Sequence, residues 1–179
     1  METCNVIAFS GTSMSTPVTA GNAALIRQYF ENSSFWQREC SYYSMNCKPF
    51  LPSGPLIKAL LISSGEPMYA YAASNISVIG DTILGAPPDY FQGYGRVLLG
   101  NILPLRGYTS DAMQLFVENS VEMTESTIRK YSVVVQNSSL PFVFTISWYD
   151  PPNVFWSAKA VLNDIGKKDI CIYYLVILE

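Results

Sequence analysis

Histidine is absent from this sequence. The side chain that most often accepts a proton at neutral pH is therefore not available from this chain. A zinc site would have to be built from all four widely scattered thiols. Charge is also sparse, at 14% of residues, with a net charge of −3 and a pI near 4.9. No Lys/Arg cluster is present, which argues against a nucleic-acid partner and against a membrane-surface site. Long hydrophobic runs are missing too. The apolar stretch from Ile170 to Leu178 falls far short of the ~20 residues a membrane span needs. The opening METCNVIAFSGTS has no basic start of the kind a signal peptide carries. An export address, if the protein is exported, is expected upstream of Met1.

Cysteine is scarce: Cys4, Cys40, Cys47 and Cys171. Cys40 and Cys47 bracket a short, polar, Tyr-rich stretch and would close a disulfide loop in an oxidising compartment. Free thiols are the other reading. Three N-x-[ST] sequons, at Asn32, Asn75 and Asn137, are compatible with a secreted glycoprotein.

About half of the residues are apolar (49%), enough for a buried core and incompatible with wholesale disorder. At 179 residues the chain fits one large domain or two small ones. Residues 14–30, MSTPVTAGNAALIRQYF, read as a helix whose middle is filled with Ala20, Gly21, Ala23 and Ala24. Small side chains let neighbouring backbone approach, so this helix is expected to be buried. The following Glu31-Asn32-Ser33-Ser34 reads as a loop. A second helix fits 54–64, with Ser53 as N-cap, Pro55 in the first turn and Gly65 as a left-handed C-cap. Residues 66–90 read as loop, and QGYGRV at 92–97 as a tight turn into a short element.

From about Asp111 the texture changes. FVEN, TIRKYSVVVQ and FVFTISWYD alternate in the manner of strands. Phe142, Phe144, Ile146 and Trp148 are expected on one face, with Val143, Thr145, Ser147 and Tyr149 on the other. This predicts part of an antiparallel β-sandwich, and a division of the chain into residues 1–106 and 107–179.

Ser10-Gly11-Thr12-Ser13-Met14-Ser15-Thr16-Pro17 is the segment with chemistry in it. A flexible turn delivers Ser13 to a helix start, where backbone N–H groups are unpaired and the helix dipole is positive. An oxyanion formed there meets ready-made donors. A plain N-capping serine is the structural alternative. The longer string GTSMSTPVTAG resembles the nucleophile motif of the subtilase family, GTSMAxPxxxG, differing chiefly by Ser15 in place of Ala.

The resemblance extends down the chain, to the branch of that family with a C-terminal β-sandwich. Pro52-Ser53-Gly54-Pro55-Leu56-Ile57-Lys58-Ala59-Leu60-Leu61-Ile62 is similar to its P-S-x-x-L-K-A-x-L-I helix. Gln92-Gly93-Tyr94-Gly95-Arg96 is similar to QGxGR, Trp148-Tyr149-Asp150-Pro151-Pro152 to W-x-D-x-P, and Val161-Leu162-Asn163-Asp164 to the start of L-V-N-D-L-D-L. After Asp164 the likeness stops, which raises the expectation of a truncated or mis-spliced C-terminus.

The resemblance implies an α/β fold: the C-terminal helical part of a three-layer α/β/α catalytic domain, followed by a partial β-sandwich. It also implies a serine endopeptidase acting on a peptide or protein substrate through an acyl-enzyme on Ser13. The family's catalytic Asp and His and its oxyanion Asn have no counterpart here, and Asn5 is too near Ser13 to serve as that Asn. They are expected on an upstream segment, a missing catalytic partner of this one. Loss of the histidine from such a triad costs about 10⁶-fold in kcat. A Ser–Lys dyad using Lys48 or Lys58 is the weaker substitute. The chain alone is therefore expected to be inactive, and the full-length protein to be secreted or extracytoplasmic. The competing reading is a pseudoprotease or non-catalytic β-rich binding module. No cofactor is implied with certainty. Asp150, Asn163 and Asp164 are oxygen donors of the type a structural calcium ion takes, with turn formation as their other role.

Overall fold

The computed structural model describes residues 11–32, 34, 36, 48–71, 82–110, 113–124, 127–133, 142–163 and 165. Two helices dominate: α1 (Thr12–Glu31) and α2 (Gly54–Ser63). Four two-residue strands follow: β1 (Gly65–Glu66), β2 (Ala70–Tyr71), β3 (Thr82–Ile83) and β4 (Arg96–Val97). They form two antiparallel pairs, β1 with β4 and β2 with β3. A 3₁₀ turn at Leu99–Asn101 comes next. Among the described residues there is no parallel sheet, and no strand after Val97.

The core is gathered at one end of α1. Ile26, Tyr29 and Phe30 are buried with Trp36, Leu56, Leu60, Ile102 and Leu103. The aromatic rings pack edge to face: Phe30 lies 4.9 Å from Trp36 and 5.2 Å from Tyr29, centroid to centroid, the geometry the ring quadrupole favours. Burying each such side chain is worth about 1.5–3 kcal/mol. The Tyr29 hydroxyl donates to the Pro104 carbonyl at 3.0 Å, so the ring is buried without stranding its polar tip.

The expected burial of α1's small-residue middle is corrected by the structure. Residues 11–21 are exposed, as is Ala24, and only Asn22 and Ala23 are half-buried; Val18 and Leu25 are 63% and 54% exposed. A stripe of Ala and Gly supplies little apolar area of its own and needs an opposing layer. None faces it among the described residues.

Helix α2 starts as the sequence indicates. Ser53 has extended backbone and its hydroxyl accepts the Leu56 N–H at 3.3 Å, with Pro55 in the first turn. Its end differs. Ser64, in right-handed conformation, is the C-cap, and Gly65 is the first residue of β1 rather than a left-handed cap. Close approach is what position 65 requires: a Cβ there would overlap the Tyr94 carbonyl oxygen. Gly95 is constrained in the same way from the facing strand, since it sits at φ 95° and a Cβ would overlap the Glu66 carbonyl. Glu66 and Arg96 are cross-strand partners and form an ion pair.

The QGYGRV turn is held by Gln92, only 8% exposed. Its amide donates to the Gly85 carbonyl and to Asp89, each at 2.8 Å, and its oxygen accepts the Met68 N–H at 2.9 Å. Asp89 accepts the N–H groups of Phe91 and Gln92 at 2.8 Å. Hydrogen bonding, first from the Gln92 N–H, holds the Asp89 carboxyl below its ordinary range.

Beyond residue 106 none of the described residues lies in a strand or ladder. Residues 113–120 alternate strictly between half-buried and exposed. Leu115 and Val117 pack against the core, and Asn119 accepts the Ser53 N–H at 2.9 Å while donating to the Leu51 carbonyl. In 142–150, Phe142, Phe144 and Ile146 remain exposed, whereas the Thr145 hydroxyl meets that of Ser63 on α2 at 2.6 Å. The β-sandwich expected here is thus not assembled among the described residues.

A closed loop follows. Both Asp150 carboxylate oxygens accept backbone N–H groups, from Leu162 and Asn163 at 2.9 Å, and the Asn163 side-chain amide adds a third bond at 3.0 Å. The Asn163 N–H is the leading cause that holds the Asp150 carboxyl below the ordinary aspartate value of 3.8.

Two outcomes are expected. Gly95→Ala in the full chain destabilises by roughly 2 kcal/mol or more, read as a fall in urea midpoint; an unchanged midpoint would mean that β1 and β4 are not so closely paired. Asp150 favours the folded loop while ionised. Its contribution is complete above the ordinary aspartate value and disappears as pH falls through its lowered folded value. The amide shifts of Leu162 and Asn163 should therefore move together at a midpoint below 3.8, and Asp150→Asn should abolish that titration.

Candidate active site

Ser13 is the second residue of α1, on its exposed first turn. The local sequence explains why the helix begins there. Gly11 precedes it with φ 138° and ψ 170°, a conformation essentially confined to glycine. No side chain caps the helix. The Gly11 carbonyl accepts the N–H groups of Met14 at 3.0 Å and Ser15 at 3.2 Å. The Thr12 and Ser13 N–H groups lie ahead of these and point out of the helix start.

The hydroxyls around Ser13 are committed elsewhere. Ser15 and Thr16 donate to the Thr12 carbonyl at 3.1 and 2.7 Å, and Thr19 to the Ser15 carbonyl at 3.0 Å. The Ser13 hydroxyl takes no hydrogen-bond partner among the described residues. No acidic side chain occupies the first turn, so the positive end of the helix dipole is not offset there. Pro17 lacks the N–H that would have bonded the Ser13 carbonyl one turn back. This arrangement can stabilise negative charge formed on an acyl group at Ser13. Among the described residues no acidic or histidine side chain lies in this first turn.

The remaining sequence-derived candidates are distributed as follows. Lys48 and Lys58 are exposed, the latter on α2. The two carboxylate oxygens of Asp150 are engaged with residues 162 and 163. Among the described residues no group of three or more Cys, Asp or Glu gathers as a metal cluster would. Asn5, Asp164, all four cysteines, and the sequons at Asn75 and Asn137 lie outside the described residues. Among those residues no helix is long and apolar enough to cross a membrane. The clasps formed by Gln92 and Asn119 were not foreseen. Gln92 lies within the QGYGR string, but nothing in local sequence announces a side chain that bonds backbone at residues 68 and 85.

Comparison with known proteins places these features. Residues 2–95 match the profile described as the subtilase family, a span that includes Ser13, α2 and the Gln92 turn. A curated relative, the serine protease/ABC transporter B family protein tagB of Dictyostelium discoideum, is 32% identical over 190 aligned residues. The alignment covers 89% of this chain and 10% of that protein, so the chain spans about a tenth of its relative's length. No solved structure matches. With a turn fit only for glycine, an exposed serine at a helix start and over half of its length matched by the family profile, the chain belongs to the subtilase family.

Proposed function

We propose that the chain is the C-terminal part of a subtilisin-like serine endopeptidase, with Ser13 as the nucleophile that cleaves peptide bonds. The observation that carries this reading is the exposed, unengaged Ser13 hydroxyl beside two N–H groups at the start of a 20-residue helix. In the longer protein the Ser13 oxygen attacks the scissile carbonyl carbon, and its proton passes to a base on an upstream segment. The oxyanion is held in part by the Ser13 N–H, the amine leaves, and water then releases the acyl group.

The sequence has no histidine to act as that base. Taken alone, the chain is inactive. The exposed Ala/Gly stripe of α1 supports the same reading, since it is the face on which the sheet of a three-layer α/β/α domain would pack. The exposed Phe142, Phe144 and Ile146 similarly suit one inner face of a β-sandwich completed by other strands. The serine protease in the relative's name is consistent with this activity. On this reading the longer protein acts outside the cytosol, on peptides or proteins.

Fluorophosphonate labelling tests the proposal. The longer protein, with its upstream segment, should be modified at Ser13 and become unreactive as Ser13→Ala. The isolated chain should show no labelling above background, because the missing base is worth about 10⁶-fold. Failure of the longer protein to label at Ser13 would remove this residue as the nucleophile. Ready labelling of the isolated chain would overturn its inactivity.

A further inference from the structure

Helix α1 ends at Asn32, the first residue of an Asn-x-Ser triplet whose middle residue, Ser33, is not proline. Its backbone is extended, at φ −89° and ψ 112°, and its N–H closes the helix on the Gln28 carbonyl at 2.9 Å. The Asn32 side-chain oxygen accepts two hydrogen bonds from Ser34, from the N–H at 2.9 Å and from the hydroxyl at 2.6 Å. The carboxamide is therefore held by its oxygen alone. Its nitrogen makes no hydrogen bond among the described residues.

This arrangement bears on reactivity. An amide nitrogen is a poor nucleophile because its lone pair is shared with the carbonyl. A transferase acting on Asn-x-Ser/Thr must recognise the hydroxyl two residues on while it reaches the nitrogen. Here the amide and hydroxyl are already side by side, with the nitrogen left unengaged. The surroundings leave room: Ala24, Arg27, Gln28 and Glu31 line an open depression with Asn32 at its edge. Arg27 and Glu31 pair with each other at 3.2 Å across one turn, which leaves Gln28 available to saccharide hydroxyls. The site is also remote from Ser13. Nineteen residues of helix at 1.5 Å each separate the two by roughly 28 Å.

We propose that Asn32 is an acceptor for asparagine-linked glycosylation. The donor class is an oligosaccharide carried on a polyisoprenyl diphosphate. The Asn32 Nδ2 forms a bond to the anomeric carbon as that carbon's bond to the diphosphate oxygen breaks. The lipid diphosphate leaves with the electron pair, and one amide proton passes to the transferase.

The same two Ser34 contacts would also serve a simple helix-terminating turn, and the variants separate these roles. The full chain is to be translated behind a cleavable leader into microsomes, with entry verified by leader cleavage. It is then treated with peptide N-glycosidase and mapped by mass spectrometry. The expected result is conversion of Asn32 to aspartate by the glycosidase. Asn32→Gln and Ser34→Ala should each remove one glycan-sized step in mobility, and Ser34→Thr should keep it. Asn32→Asp preserves an oxygen that can accept the turn's hydrogen bonds but cannot be glycosylated, and should also lose the step. An unmodified Asn32 peptide, whether or not Asn75 or Asn137 carries a glycan, would overturn the proposal. So would a glycan pattern that Ser34→Ala leaves unchanged.

Discussion

Packing of Tyr29 and Phe30 into the Trp36–Leu56–Leu60 cluster anchors α1 at its C-terminal end, and most of the described architecture follows from that contact. It holds α1 against α2, draws in Ile102 and Leu103 after the 3₁₀ turn, and gives Leu115 and Val117 a surface to cover. Among the described residues α1 is thus supported at one end only. A helix of 20 residues extends about 30 Å. The end that carries Ser13 projects beyond the packed region. The Ser13 end is exposed because the buried side chains of α1, Ile26, Tyr29 and Phe30, all lie at its other end.

This polarity clarifies what the Ser13 turn can and cannot do. Gly11 and the uncapped first turn leave backbone donors unpaired at the helix start that carries the hydroxyl. On the proposed reading, half of the catalytic apparatus is local, needing only the turn, the helix and the absence of an acidic neighbour. The other half is a proton acceptor held within hydrogen-bond reach, which is a tertiary requirement. The four residues GTSM cannot supply it, and the chain has no histidine to offer. Electrostatic stabilisation without a base leaves a serine that is positioned but not activated.

The described residues of the C-terminal third show the same dependence on neighbours. Alternation in 113–120 is expressed as alternating exposure, because Leu115 and Val117 have the helical core beside them. The equally regular alternation in 142–148 is not, since Phe142, Phe144 and Ile146 meet no opposing sheet among the described residues. Side chains that need one partner found it: Thr145 with Ser63, Asn119 with the backbone ahead of α2, and Asp150 with residues 162 and 163. A strand needs a row of partners, and a sheet face needs another layer.

Local sequence determined what depends on near neighbours along the chain. The two helices, the Ser53 cap and the turn ahead of Ser13 could all be read there, because each is fixed by backbone sterics and bonds a few residues apart. The family could be read as well, because its motifs lie in contiguous strings. Tertiary structure alone decided which end of α1 is buried, since a stripe of Ala and Gly fits a packed interface and an exposed flank equally well. It also decided that Gly65 faces the Tyr94 carbonyl instead of ending a helix. Whether a glycine serves left-handed conformation or close approach depends on what lies across from it, and that residue is 29 positions away.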